Sequence, residues 1–74
     1  MSFIYAKMNT PDMSPWTPEN IAIIAAIPGV LATSTEGENN SCVCAKLGGD
    51  VPAAKKIVKS MAKAFPGQSV TWSP

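Results

Sequence analysis

Two apolar stretches of this 74-residue chain end in the same way, Ala26-Ile27-Pro28-Gly29 and Ala64-Phe65-Pro66-Gly67. Proline cannot extend a helix, and glycine readily adopts the left-handed conformation that closes one, so each Pro-Gly reads as a helix stop. The starts match as well. Thr17-Pro18 and Asp50-Val51-Pro52 each place a capping side chain before a proline of the first turn. Two helices are thereby bracketed, residues 17–27 and 50–65. Each follows a short alternating run, and Tyr5-Ala6-Lys7-Met8 is echoed by Cys44-Ala45-Lys46-Leu47.

The remaining segments read as strands and turns. Residues 3–8, 30–35, 41–47 and 68–72 are β-branched, aromatic or alternating, while 9–17 and 36–40 are polar and rich in turn formers. The order is β-α-β-β-α-β. Two right-handed βαβ halves of this kind predict a ferredoxin-like α+β two-layer sandwich, with a four-stranded antiparallel sheet carrying both helices on one face. Residues 1–74 are expected to form one such domain, in which folding buries roughly 60% of the unfolded chain's surface.

Alternation assigns the faces. Ile4, Ala6, Met8, Val43, Ala45 and Leu47, together with Ala32, Val70 and Trp72, are expected to face the helices. Helix two should meet them through Ile57, Val58, Met61, Ala62 and Phe65. The opposite face then displays Phe3, Tyr5, Lys7, Cys42, Cys44 and Lys46, an apolar centre flanked by two lysines. We expect this face to bind a protein partner, since exposed apolar patches mark interaction sites. The bland alternative is that the loop carrying Trp16 covers part of it.

Two further surfaces stand out. Helix one, through residues 21–27, is apolar all the way round, and 74 residues hold too little material to bury it on every side. Ala22, Ile23 and Ala26 are therefore a candidate second interface. Helix two carries Lys55, Lys56, Lys59 and Lys63 off its apolar stripe. These lysines suit phosphate contacts, or simply a solvated face whose charge complements the helix C-terminus.

Catalytic and cofactor chemistry finds little to work with. The chain has no His and no Arg, and six Lys against five acidic residues give a net charge of +1. Imidazole acid–base steps and catalytic triads are excluded on composition. Cys42 and Cys44 alone are an incomplete tetrahedral metal set. Gly48-Gly49-Asp50 reads as a turn and helix cap, because an Asp at the cap repels a phosphate. No cofactor, no metal and no enzymatic activity are expected. The cysteines, two positions apart along one strand, are expected to remain reduced, which suits the cytoplasm. The longest apolar run is far shorter than a bilayer requires, so no membrane association is expected.

Residues 42–58, a strand followed by Gly-Asp-Val-Pro-Ala-Ala-Lys, resemble the strand–helix step of bacterial microcompartment shell proteins. That family shares the βαββαβ core and assembles as hexamers, so the resemblance implies a domain that associates. It covers under a quarter of the chain, and residues 34–40 lack the family's Gly-rich pore loop.

Size and elimination together point to a small non-enzymatic protein-binding module. Such a module would be an adaptor or an inhibitor of a larger partner, as with a phage or mobile-element protein acting on host machinery. The alternatives are a small nucleic-acid-binding protein, using the sheet-face aromatics and the helix-two lysines, or a structural homo-oligomer.

Overall fold

The computed structural model describes residues 3–73. The elements follow the expected order: β1 (Ile4–Asn9), α1 (Pro18–Ala25), β2 (Val30–Glu36), β3 (Cys42–Leu47), α2 (Val51–Ala64) and β4 (Ser69–Ser73), with a 3₁₀ turn at Glu38–Asn40 in the β2–β3 connection. The strands form one antiparallel sheet in the order β2-β3-β1-β4. This is the ferredoxin-like two-layer arrangement that the βαββαβ order predicts.

Both helices stop slightly before their prolines. A residue preceding proline is pushed out of the helical region, so α1 ends at Ala25 rather than Ile27, and α2 at Ala64 with Phe65 as its cap. At the α1 start, the Thr17 hydroxyl accepts a hydrogen bond from the Asn20 N–H at 3.2 Å. Asp50 occupies the equivalent position before α2, but its side chain makes no capping hydrogen bond. The two closing glycines share a positive φ, +98° at Gly29 and +91° at Gly67, which favours glycine at both.

The core lies between the sheet and the helices. Ile4, Ala6 and Met8 of β1 and Val43, Ala45 and Leu47 of β3 are buried, as alternation requires, and Val70 and Trp72 pack against them half-buried. From α2, Ile57 and Met61 are buried and Val58 and Phe65 half-buried. Two sequence expectations fail here. Ala62 is exposed and Ala54 is buried instead. At 100° per residue, Ala62 stands about 80° round the helix from Ala54, at the margin of the stripe.

Ala32 is the second correction. It was expected among the helix-facing residues, but it is exposed and lines the opposite side of the sheet. The cause is a β-bulge. Val30 pairs with Leu47 while Ala32 pairs with Lys46, so Leu31 is an extra residue and every later side chain of β2 changes face. Thr33 and Thr35 consequently stand opposite Ala45 and Val43 on the helix side.

Trp16 belongs to the core rather than to the open side of the sheet. It is 6% exposed and meets Phe65 edge-to-face, with ring centroids 5.1 Å apart. Its indole N–H donates to the Ser41 carbonyl at 3.0 Å, and its backbone N–H donates to the Asn40 carbonyl at 3.1 Å. A buried indole N–H needs an acceptor, and the β2–β3 connection supplies one. The loop between β1 and α1 is thereby fastened on the helix side and leaves the other sheet face uncovered.

Candidate functional site: the open sheet face

Strict alternation in β1 and β3 puts Phe3, Tyr5, Lys7, Cys42, Cys44 and Lys46 on one side of the two central strands. Tyr5 pairs with Lys46, Lys7 with Cys44, and Asn9 with Cys42, so these side chains form adjacent rows. No helix among the described residues covers them.

Tyr5 is the most prominent member, 44% exposed. A shallow depression lies on either side of it. One, of about 160 Å³, is lined by Tyr5, Ala32, Thr33, Ser34, Cys44 and Lys46; the other, of about 130 Å³, is lined by Tyr5, Lys7, Thr71 and Trp72. Thr71 pairs with Lys7 in the β1–β4 ladder, which brings it to this face. The ring of Tyr5 is thus a ridge between two hollows.

The two lysines of the face are engaged locally. Lys46 Nζ sits 4.0 Å from the centre of the Phe3 ring, within cation–π range. Lys7 Nζ lies 2.8 Å from Glu36 Oε1 at the end of β2. The hydrogen bond from Lys7 to this carboxylate, and then its charge, raise the Lys7 pKa above the ordinary lysine value. Exposed pairs of this kind add little stability, but they neutralise the surface they occupy.

The cysteines differ. Cys44 is half-buried within the first depression, whereas Cys42 is buried beside the Lys7–Glu36 pair, its Sγ 4.0 Å from Glu36 Oε1. Burial, and secondarily the Glu36 charge, push the Cys42 thiol pKa upward. Cys42 therefore supports the face from below and offers a partner little surface. Both cysteines are free thiols. Among the described residues no group of three or more His, Cys, Asp or Glu side chains is placed to hold a metal ion.

Alternation in the sequence misses Ala32, Ser34 and Glu36, whereas Thr71, between helix-facing Val70 and Trp72, falls on this face by the same alternation. The bulge at Leu31 hides the first two from a period-two reading. Glu36 reads as part of a turn, yet it closes β2 and reaches across β3 to Lys7.

The other candidate surfaces lie elsewhere. Lys55, Lys56, Lys59 and Lys63 are all exposed on α2, across the sheet from Tyr5. The fold does not bring them together with the aromatics of the open face. On α1 only Ile24 is fully buried; Ala22 and Ala26 are exposed and Ile23 is 48% exposed. No described helix is long and apolar enough to cross a membrane.

Compared with known proteins, the chain matches no family model, no curated protein and no solved structure. The short likeness of residues 42–58 to microcompartment shell proteins thus carries no functional weight.

Proposed function

We propose that this chain is a small non-enzymatic protein-binding module whose contact surface is the open sheet face. The observation that carries the reading is Tyr5, an exposed aromatic ridge between two hollows, on a face whose lysines are already partnered. Tyrosine is enriched among the residues that dominate binding energy, because its ring gives large contact area at low entropic cost. The contact set is Phe3, Tyr5, Lys7, Cys44 and Lys46, extended by Ala32, Ser34 and Thr71.

Nucleic-acid binding is less well supported. Bases stack on aromatics that have free cations beside them to meet the backbone. Here Lys46 is held on Phe3 and Lys7 on Glu36, while the four lysines of α2 lie across the sheet. A role as adaptor or as inhibitor of a larger partner suits a small chain that acts through one face. A cytoplasmic setting suits its two free thiols.

The test is affinity capture from cell extract with the wild-type chain and Tyr5→Ala as parallel baits. Proteins enriched by the wild type and lost with Tyr5→Ala are expected. Identical capture by both baits would refute the sheet-face reading. Binding of single-stranded oligonucleotides that weakens steeply with salt would favour nucleic acid instead.

A further inference from the structure

The charges of this chain are distributed unevenly between its two flanks. Residues 20–35, which hold most of α1 and nearly all of β2, contain no charged side chain at all. The other helix, α2, carries four exposed lysines. α1 packs chiefly on β2, whereas α2 packs on β4 and β1, so the two compositions occupy opposite flanks of the molecule. A second copy approaching α2 with its own α2 meets like charge. Approaching along β2, it meets a single charged side chain, Glu36 at the strand's end, which is already paired with Lys7.

β2 is also an edge strand, hydrogen-bonded to β3 on one side only. Edge strands are usually blunted by Lys, Pro, shortness or a bulge. β2 is seven residues long and has neither Lys nor Pro. Its bulge lies at the N-terminal end, and from Ala32 to Glu36 the ladder with β3 is regular. The bulged Leu31 is 58% exposed, the most exposed large apolar side chain among the described residues. Unpaired backbone donors and acceptors along a strand are matched by another extended strand.

We infer that β2 is the interface between two copies of this chain, paired antiparallel about a two-fold axis to give a continuous eight-stranded sheet. The segment is self-complementary in the way a two-fold requires. Centred on Ser34 of the regular stretch, the pairing sets Thr33 opposite Thr35 on the helix side and Ala32 opposite Glu36 on the open face. The bulged Leu31 lies just beyond this ladder, and the two Glu36 carboxylates remain at opposite ends, each beside its own Lys7. Depletion of charge at the centre of an interface is the compositional mark of such contacts. The same two-fold draws the two α1 helices together in the helix layer, where their outer faces, uncharged beyond Glu19 of the first turn, flank the joined sheet.

This dimer does not depend on the binding role of Tyr5, and its test separates the two. Sedimentation equilibrium of the chain from micromolar to about 1 mM should show a mass rising to twice the 7.7 kDa of one chain. Hydrogen exchange across the same range should show alternate backbone amides of β2 gaining protection as concentration rises, while those of β4 do not. Leu31→Lys, at an exposed position, should weaken association by about tenfold or more. Tyr5→Ala should leave it unchanged. A monomer at every concentration would overturn the inference. So would protection gained in β4 rather than β2, an unchanged dissociation constant for Leu31→Lys, or a dimer abolished by Tyr5→Ala, which would place the contact on the open face.

Discussion

Replacing each of the two helix-closing glycines by alanine separates backbone strain from packing within one protein. Gly29 and Gly67 have nearly the same positive φ, so an L-residue at either site meets the same kind of left-handed penalty, about 1–2 kcal/mol. Reduced freedom of the unfolded chain offsets roughly 0.4–1 kcal/mol of that at both. The surroundings differ. A Cβ at Gly67 meets nothing within 4 Å, whereas at Gly29 it runs into Cδ1 of Ile57 and lies 3.2 Å from its Cγ1. Ile57 is a buried member of the core cluster, so shifting its end disturbs a packed region. Displacing a packed side chain of this sort costs about 1–3 kcal/mol. Gly67→Ala should therefore destabilise by about 1 kcal/mol and Gly29→Ala by about 3 kcal/mol. For a domain of this size the extra 2 kcal/mol is a further fall in Tm of roughly 8–16 °C. Urea unfolding followed by circular dichroism measures both variants. Ile57→Val removes the colliding Cδ1, so Gly29→Ala should cost about 1 kcal/mol less in that background, a coupling that a double-mutant cycle reads directly. Equal costs for the two glycines, or no coupling to Ile57, would refute the packing explanation.

Other expectations follow from the same contacts. Iodoacetamide should modify Cys44 well before Cys42, whose thiol is buried and whose pKa is raised; mass spectrometry after partial labelling gives the order. Raised pKa values at both Cys42 and Lys7 mean that the folded state holds protons the unfolded chain releases. Their contributions are complete below the unfolded values of 9.0 and 10.5 and fade as pH rises through the higher folded ones. Stability should accordingly fall above about pH 9, and Cys42→Ala should flatten the first part of that fall; an identical pH profile for the variant would contradict the assignment. Trp16→Phe keeps the ring against Phe65 but loses the hydrogen bond to Ser41. Since the Thr10 N–H still reaches that carbonyl, the cost should be about 1 kcal/mol. Trp16→Ala should cost about 3–5 kcal/mol, also read by urea unfolding.

The fold was legible because its punctuation is local. Pro28-Gly29 and Pro66-Gly67 close helices by steric rules that hold wherever they occur, and β1 and β3 alternate without interruption. Faces were misassigned where local rules meet tertiary detail. An inserted Leu31 reverses the parity of β2, and nothing in Val30-Leu31-Ala32 announces it. Trp16, set between prolines and polar residues, gives no sign of which side of the sheet it will join; the Ser41 carbonyl and the Phe65 ring decide that, and both are distant in sequence. Alternation alone assigns Tyr5, Lys7 and Lys46 to the open face, which is where their pairing partners put them. Their neutralisation was not visible, because it rests on Glu36 reaching across β3 and on Lys46 lying over Phe3.

The central claim is that the open sheet face binds a protein. Its most direct measurement is an NMR titration of the labelled chain with a partner obtained by Tyr5-dependent capture. Chemical-shift changes should concentrate at Tyr5, Cys44, Lys46, Ser34 and Thr71, with the α2 lysines unmoved. Changes centred on Lys55, Lys56, Lys59 and Lys63, with Tyr5 silent, would contradict it.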